Sequence, residues 1–302
     1  MSKTDPLDKQ AIERARKYMG RVAWPSVILG LLFAATYVST IALALAGLLS
    51  LWLAIPLVAV VTYLSYTILH ESVHGSVGGN DRSLRWLNKA MGYLAAWITM
   101  IPFTAHRYEH MAHHRHANDA ERDPDFHMGG MRDSLSAPVR VALQAWISQF
   151  VYYGKHRWAD APARQNLVLC LEVTAALLPR LAIVLAGYWA EGLALFVLAW
   201  IIGAMILVYL FAYVDHRPHD QVGRYVDTAT VLPPDSPALR AGLSWLWMFQ
   251  NYHSIHHLFQ RVPFYQYAAL YDEIEDVMAA KHAPVYSIGV RGLASVARRQ
   301  VA

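Results

Sequence analysis

Three short stretches of this 302-residue chain hold eight of its 15 histidines at spacings of three or four, or side by side. They are His70 and His74 in "HESVH", His110, His113 and His114 in "HMAHH", and His253, His256 and His257 in "HSIHH". On a helix such spacings bring the rings onto one face, a turn apart. Grouped imidazoles bind transition metals, one ring nitrogen serving as ligand while the other is held by a hydrogen bond. A ninth candidate, His216 in "YVDHRPHD", follows a long apolar run, with His219 as its competitor. His106 stands four residues before His110 and extends that stripe, whereas His116, His127, His156 and His282 lack comparable company.

The first group is also a literal HExxH, the pattern with which zinc peptidases bind their metal and use the glutamate as general base. A catalytic zinc takes three protein ligands and keeps a position open for water. Nine imidazoles overshoot that need and suit two metal ions of four or five ligands each. Imidazole accepts iron, zinc, copper and nickel alike, so ligand type does not name the metal. A metal transporter would bind its ions near the bilayer midplane, yet these histidines lie outside the long apolar runs. Asp119, Asp123 and Asp125 in "NDAERDPD" and Asp215 beside His216 are candidate acceptors for the outer ring nitrogens. Glu71 is expected to accept a hydrogen bond outside the ligand set or to lie on the helix surface, and Asn251 to hold a metal-bound water or cap a helix.

The elements that must position these residues are membrane helices. Hydrophobic residues make up 56% of the chain and charged ones 16%, too apolar and charge-poor for an ordinary soluble domain. No Asp, Glu, Lys, Arg or His occurs from 22 to 69, enough for two crossings of about 20 residues and a tight turn. The spacing predicts spans over 27–47 and 51–69. A second apolar block supplies spans over 167–189 and 192–214, with Glu172 and Arg180 facing the bundle interior or an interface. An even number of crossings keeps every histidine group on one side. The apolar stretch 86–103 is expected as an interfacial or re-entrant helix, "VLPPDSP" as a loop, and 271–281 as a helix. The chain thus divides into a cytosolic N-terminal segment (1–21), a transmembrane hairpin (22–69), a region with the first two histidine groups (70–165), a second hairpin (166–214) and a cytosolic C-terminal region (215–302). The fold class is all-α integral membrane, four transmembrane helices with a cytosolic helical cap.

Lys9, Arg14, Arg16, Lys17 and Arg21 precede the first span, keep that end inside by the positive-inside rule, and argue against a cleavable signal peptide. The net charge of +4 reflects basic residues beside apolar segments, and no base-stacking or groove-reading module accompanies it, so nucleic-acid binding is excluded. The single Cys170 excludes a disulfide framework and any cysteine-built cluster within the chain. Trp24, Trp52, Tyr188 and Trp189 are expected as interfacial anchors. Tyr63, Tyr66, Trp97, Tyr209 and Tyr213 are expected either to line an apolar substrate tunnel or to pack between helices.

The order HxxxH, HxxHH, a further His after a second hydrophobic hairpin, then HxxHH resembles the membrane fatty acid desaturase and hydroxylase superfamily from His70 to about Tyr267. More locally, "HMAHHRHANDAERDPDFH", "HRPHD" and "NYHSIHHLFQRVPFY" look like the branch of carotenoid ring hydroxylases, ketolases and acyl-lipid desaturases. The resemblance implies a di-iron site at the cytosolic membrane face, O2 as cosubstrate, and removal of hydrogen from an unactivated carbon of a long hydrocarbon. It also implies an external ferredoxin-, rubredoxin- or cytochrome-type electron carrier, since no fused cofactor module is found. Carotenoid enzymes usually carry Asp after the first His, whereas this chain has Glu71, so fatty acyl chains stand ahead of carotenoids. Oxidative decarboxylation to a terminal alkene is a further outcome of the same hydrogen abstraction.

Overall fold

A computed structural model of the chain describes residues 5–234, 236–289 and 292–296. Helix α1 (Pro6–Ala15) opens with Pro at its first position and with Asp5 accepting from the Leu7 N–H at 2.9 Å, both favourable at a helix start. The charge-free run folds as α2 (Trp24–Leu45) and α3 (Leu51–His74), joined by a turn in which Gly47 adopts φ 71°. Then come α4 (Arg85–Thr99), α5 (Phe103–His116) and α6 (Ala137–His156). A second hairpin pairs α7 (Ala163–Leu185) with α8 (Trp189–Val214), which contains π-helical turns at Leu193–Leu198 and Val208–Val214. Three shorter helices complete the chain, α9 (Pro237–Leu246), α10 (His253–Leu258) and α11 (Tyr267–Ala280).

The four helices α2, α3, α7 and α8 are long and apolar enough to cross a membrane. Large side chains such as Leu31, Leu57, Leu178 and Leu193 stand exposed along them, an apolar surface that lipid rather than water must cover. This is the helical integral-membrane fold expected from the sequence. Helix α3 continues through His74 instead of stopping at 69, so the first histidine pair rides on the last turns of a span. Gly203 lets α8 approach α3, because a Cβ there would stand 2.6 Å from the Ala59 carbonyl oxygen.

One small sheet joins the helices: β1 (Thr230–Leu232), β2 (Val285–Gly289) and β3 (Gly292–Ser295), in the order β1-β2-β3. The first pair is parallel and the second antiparallel. Strand β1 takes up the start of the expected "VLPPDSP" loop, of which Asp235 lies outside the described residues. The helix expected over 271–281 is α11, which begins a turn earlier.

The apolar stretch 86–103 is helical in α4, packs along α3 and ends at Thr99, where Met100 adopts φ 57°. A helix end leaves carbonyls without donors, which is costly away from water. Side chains from three other helices supply them. Arg180 of α7 donates to the Trp97 carbonyl at 2.7 Å, the Trp200 indole of α8 to the Thr99 carbonyl at 2.8 Å, and the Trp146 indole of α6 to the Met100 carbonyl at 2.7 Å. Arg180 also donates to the Tyr37 hydroxyl at 2.9 Å, so its charge meets the negative end of the α4 dipole within the bundle. Glu172 likewise faces protein, accepting from the Thr104 N–H at 3.2 Å. Helix α4 therefore ends between the spans, the re-entrant alternative of the two expected.

Candidate metal centre

His70 and His74 lie one turn apart at the end of α3, where Gly75 at φ 73° stops the helix. Helix α5 carries His106, His110, His113 and His114 on successive turns, and α10 carries His253, His256 and His257. The π-turn Val208–Val214 closes α8 just before His216. Such wide turns recur at functional sites because they re-aim the side chains around them.

These elements bring the rings into two adjacent groups. One ligand atom each from His70, His74, His110, His114 and His256 all lie within 4.8 Å of one another, and the same holds for His113, His216 and His257. The groups touch at His114 and His257, whose ring centres are 4.3 Å apart. His253 stands between them, its ring centre 4.9 Å from that of His216 and 6.1 Å from that of His70. All nine expected rings are thus brought together. His106 lies at the edge, donating from Nδ1 to Gln149 Oε1 at 2.8 Å. His219 turns away and stacks on Tyr213 at 5.0 Å.

The nitrogens are arranged for cations. His113 Nε2 lies 2.9 Å from His216 Nε2, and His114 Nε2 lies 3.0 Å from the Nε2 of both His110 and His256. Two ligands at a right angle around an ion bonded at roughly 2.1 Å stand about 3.0 Å apart. Among the described residues, both ring nitrogens of His70 and His74, Nδ1 of His114 and Nε2 of His257 are buried without a hydrogen-bond partner. Buried polar atoms are rarely left so unless something else satisfies them. The residues present therefore fit a pair of bound metal ions.

Several outer nitrogens are fixed in the way metal-bound imidazoles need. Nδ1–H of His113 donates to Asp123 at 2.9 Å, that of His216 to the Ala212 carbonyl at 2.9 Å, and that of His253 to Gln250 at 3.1 Å. His256 Nδ1 meets the Tyr267 hydroxyl at 3.0 Å, and His257 Nδ1 lies 3.9 Å from Asp227. Asp125 stands 3.7 Å from His113. Burial, reinforced by neighbouring imidazoles, holds His110, His114, His216, His253 and His256 well below the ordinary histidine range, hence neutral and ready to bind metal. His113 differs: burial pulls it down, but the charge and hydrogen bond of Asp123, with Asp125 beside it, push it up to about 9. The same negative field would favour a metal cation there. Burial, and then the Glu109 charge, push Asp125 up to about 7.

The remaining expected residues part ways. Glu71 is buried and turned from the rings: it accepts from the Ser26 hydroxyl and, at 2.6 Å, from the Phe264 N–H. That ties α3 to α2 and to the segment before α11, and leaves HExxH without a free general base. Asp119 pairs with Arg122 at 2.5 Å, away from the groups above. Asn251 donates to the Val231 carbonyl at 3.0 Å and so secures β1. Asp215 is fully buried, with both carboxylate oxygens unpartnered among the described residues. Gln149, Asp227, Gln250 and Tyr267 were not anticipated; only Gln250, three residues before His253, carries a helical-spacing signal.

A cavity of 60 Å³ adjoins the rings on the side of the spans, walled by Tyr66, Trp146, Trp200 and Phe211. Tyr66 is thus the expected tunnel residue that lines it. Trp97 lines a neighbouring groove, the Tyr63 hydroxyl donates to the Leu246 carbonyl at 3.1 Å, and Tyr209 stacks on Tyr213 at 5.7 Å.

A buried histidine nest beside an apolar cavity suits oxidation of a lipid, and comparison with known proteins decides the family. The pattern of the fatty acid desaturase family matches residues 46–289. The chain belongs to the fatty acid desaturase family. A beta-carotene ketolase from Paracoccus sp. is 28% identical over 250 residues, covering 73% of this chain and 87% of the ketolase. Chloroplastic omega-3 fatty acid desaturases of Brassica napus and Ricinus communis are 25% and 24% identical over 66% and 70% of this chain. The matched part spans 54% and 51% of those two proteins, about half their length. As a member of the fatty acid desaturase family, the chain is an oxidoreductase of the membrane desaturase and hydroxylase type.

Proposed function

We propose that this protein is an O2-dependent di-iron oxidase that desaturates or hydroxylates an unactivated C–H position of a long-chain lipid. The observation that carries the reading is the convergence of nine buried or half-buried imidazoles, several with unsatisfied nitrogens, at the inner end of an apolar cavity. One iron would be held by His70, His74, His110, His114 and His256, the other by His113, His216 and His257, with His253 between them. Two irons so held, supplied with O2 and with electrons from a ferredoxin-, rubredoxin- or cytochrome-type carrier, furnish the oxidising power for hydrogen abstraction.

The chain's own residues do the rest. Asp123, Ala212 and Gln250 fix ring orientation through the outer nitrogens. Phe211 packs against His70 and His253, at 5.0 and 5.5 Å between ring centres, and keeps water from the rings on the membrane side. Arg14 of α1 pairs with Asp276 of α11 at 2.6 Å, joining the basic N-terminal segment to the C-terminal region. By the positive-inside rule that end, and the histidines with it, would face the cytosol, with the inner membrane as the proposed location. A polar opening beside His114 and His257, rimmed by Arg115 and Arg224, suits an acidic electron carrier.

A fatty acyl chain leads as substrate, because the cavity beside the rings is small, 60 Å³, and two omega-3 fatty acid desaturases match about two thirds of the chain. The carotenoid reading draws on the ketolase match over most of both chains. Glu71 no longer argues against it, since both its oxygens are spent on Ser26 and Phe264. Metal analysis and mass spectrometry of lipids and pigments from an expressing host test the proposal. About two irons per chain and a lipid with a new double bond or hydroxyl are expected. One zinc per chain with no altered lipid would overturn it, and steady turnover without any reductant would remove the electron carrier.

A further inference from the structure

The cavity beside the histidines is walled off from the bilayer by a thin partition. On its far side lie two apolar grooves, one of 320 Å³ between α4, α6 and α7 and one of 660 Å³ between α6, α7 and α8. Trp146 lines both grooves and the cavity, Trp200 lines the cavity and the larger groove, and Met100 lines both grooves. The groove walls include Leu171, Leu177, Leu181, Leu193 and Val197, all exposed on the lipid-facing surface.

We infer that a hydrocarbon substrate enters sideways from the bilayer between α6, α7 and α8, and that Trp146 and Trp200 form the sill it must pass to reach the histidines. The inference rests on the oxidase reading above. Size supports it first: ligand sites usually enclose about 300–1,000 Å³, so the 60 Å³ cavity houses no long chain alone, while the larger groove does. Continuity supports it second, since each indole bounds the cavity on one side and a groove on the other. Chemistry sets the occupant. The charged side chains that line the grooves, Glu172 and Arg180, are engaged with Thr104 and with Tyr37 and the Trp97 carbonyl. The grooves therefore recognise hydrocarbon rather than a charged headgroup.

The sill is held in place from behind. Both indole N–H groups donate to carbonyls at the end of α4, Trp146 to Met100 and Trp200 to Thr99, and the two rings meet edge to face at 5.7 Å between centres. Beyond the sill the cavity wall mixes small side chains, Ala142 and Ala145 on α6 and Ala204 on α8, with Tyr66 and Phe211, which pack against His70 at the deep end. At the groove end the two indoles supply the bulk that limits what passes, and Met100 contributes a flexible thioether at the outer lip.

The full-length protein in lipid nanodiscs tests the route with a long-chain fatty acid carrying a mid-chain diazirine, adducts being mapped by peptide mass spectrometry after illumination. Adducts on Leu143, Leu177, Leu181 or Trp200, suppressed by excess unlabelled fatty acid, are expected. Adducts confined to the water-facing opening around Arg115, Val222 and Arg224 would overturn the route, as would groove labelling that excess fatty acid leaves undiminished, the mark of ordinary bilayer lipid. Labelling needs no turnover, so groove adducts on a protein that oxidises no lipid sink the oxidase reading and leave the route standing. For the sill, Trp146→Ala should shift the preference between straight and ring-bearing or branched substrates by roughly tenfold with metal content unchanged, and Trp146→Phe should shift it less. Equal preference in both variants and the parent would remove the sill.

Discussion

At His113 a single ring shows what a ligand requires. Its Nδ1–H donates to Asp123, and that carboxylate is held in turn by the Asn118 and Asp125 N–H groups at 2.8 and 2.9 Å, which leaves Nε2 aimed at His216. Removing an orienting carboxylate of this kind typically costs 10–100-fold in metal affinity. Asp123→Ala should therefore weaken metal binding by about that factor in a competition titration against a chromogenic chelator, with Asp123→Asn falling between. Affinity equal to the parent's would mean that the hydrogen bond does not orient the ring. The ring groups were legible because three-and-four spacing is a property of the helix itself. Most outer partners were not: Asp227 reaches His257, Tyr267 reaches His256 and Gln149 reaches His106 from elements whose placement no spacing encodes. Of the two alternatives for Glu71 the structure takes the acceptor, but toward Ser26 and Phe264, since adjacency to His70 in sequence does not say which way a carboxylate on the same helix faces.

Helix against helix, two contacts carry the histidines to their places. α3 bears His70 and His74, α8 leads to His216, and Gly203 allows the two to touch, with Ala59 O and Thr62 Cβ standing 2.6 and 3.1 Å from where a Cβ would be. Gly203→Ala must push them apart, at about 1–3 kcal/mol of overpacking, and should lower both the thermal midpoint in detergent and turnover. A midpoint and turnover equal to the parent's would show that the helices absorb the methyl group. The end of α4 depends on Arg180 in the same way. Arg180→Leu leaves the Trp97 carbonyl without its donor, a loss of roughly 1–3 kcal/mol that thermal unfolding would register. Arg180→Lys should recover only part of it, because Nη2 serves Tyr37 and Trp97 while Nη1 serves the Ala176 carbonyl, and a lysine's single nitrogen lacks that planar fork. Long apolar runs announce their helices, even where Glu172, Arg180 and Glu191 interrupt the second, so both hairpins could be read from the sequence. The cap of α4 could not, since Trp146, Arg180 and Trp200 lie far along the chain and an aromatic in an apolar run reads as packing. The small sheet escaped notice for want of any run longer than a few residues.

Across the whole molecule, the proposed ligand set joins the last turns of α3, the face of α5, the bend after α8 and the short α10, so positions 70 to 257 meet at one place. Without a cation those rings, neutral apart from His113, would crowd together with buried nitrogens unsatisfied, which opposes folding. A metal ion bound by the folded chain alone would stabilise it by about 2.7 kcal/mol when present at 100 times its dissociation constant. Stripping the metal with a chelator should then lower the thermal midpoint by roughly 5–10 °C, and returning ferrous iron should restore it. The loss should also be local. α2 and α7 hold together through their own backbone hydrogen bonds and lipid contact, whereas α10 has only six residues, three of them histidines, with Ile255 in the core and Ser254 on Thr230 as its other anchors. Hydrogen exchange after chelation should rise over 216–222 and 253–258 and stay unchanged along the spans. A midpoint and an exchange pattern indifferent to chelation would mean that the rings are held by packing alone, and the metal centre would fall with them.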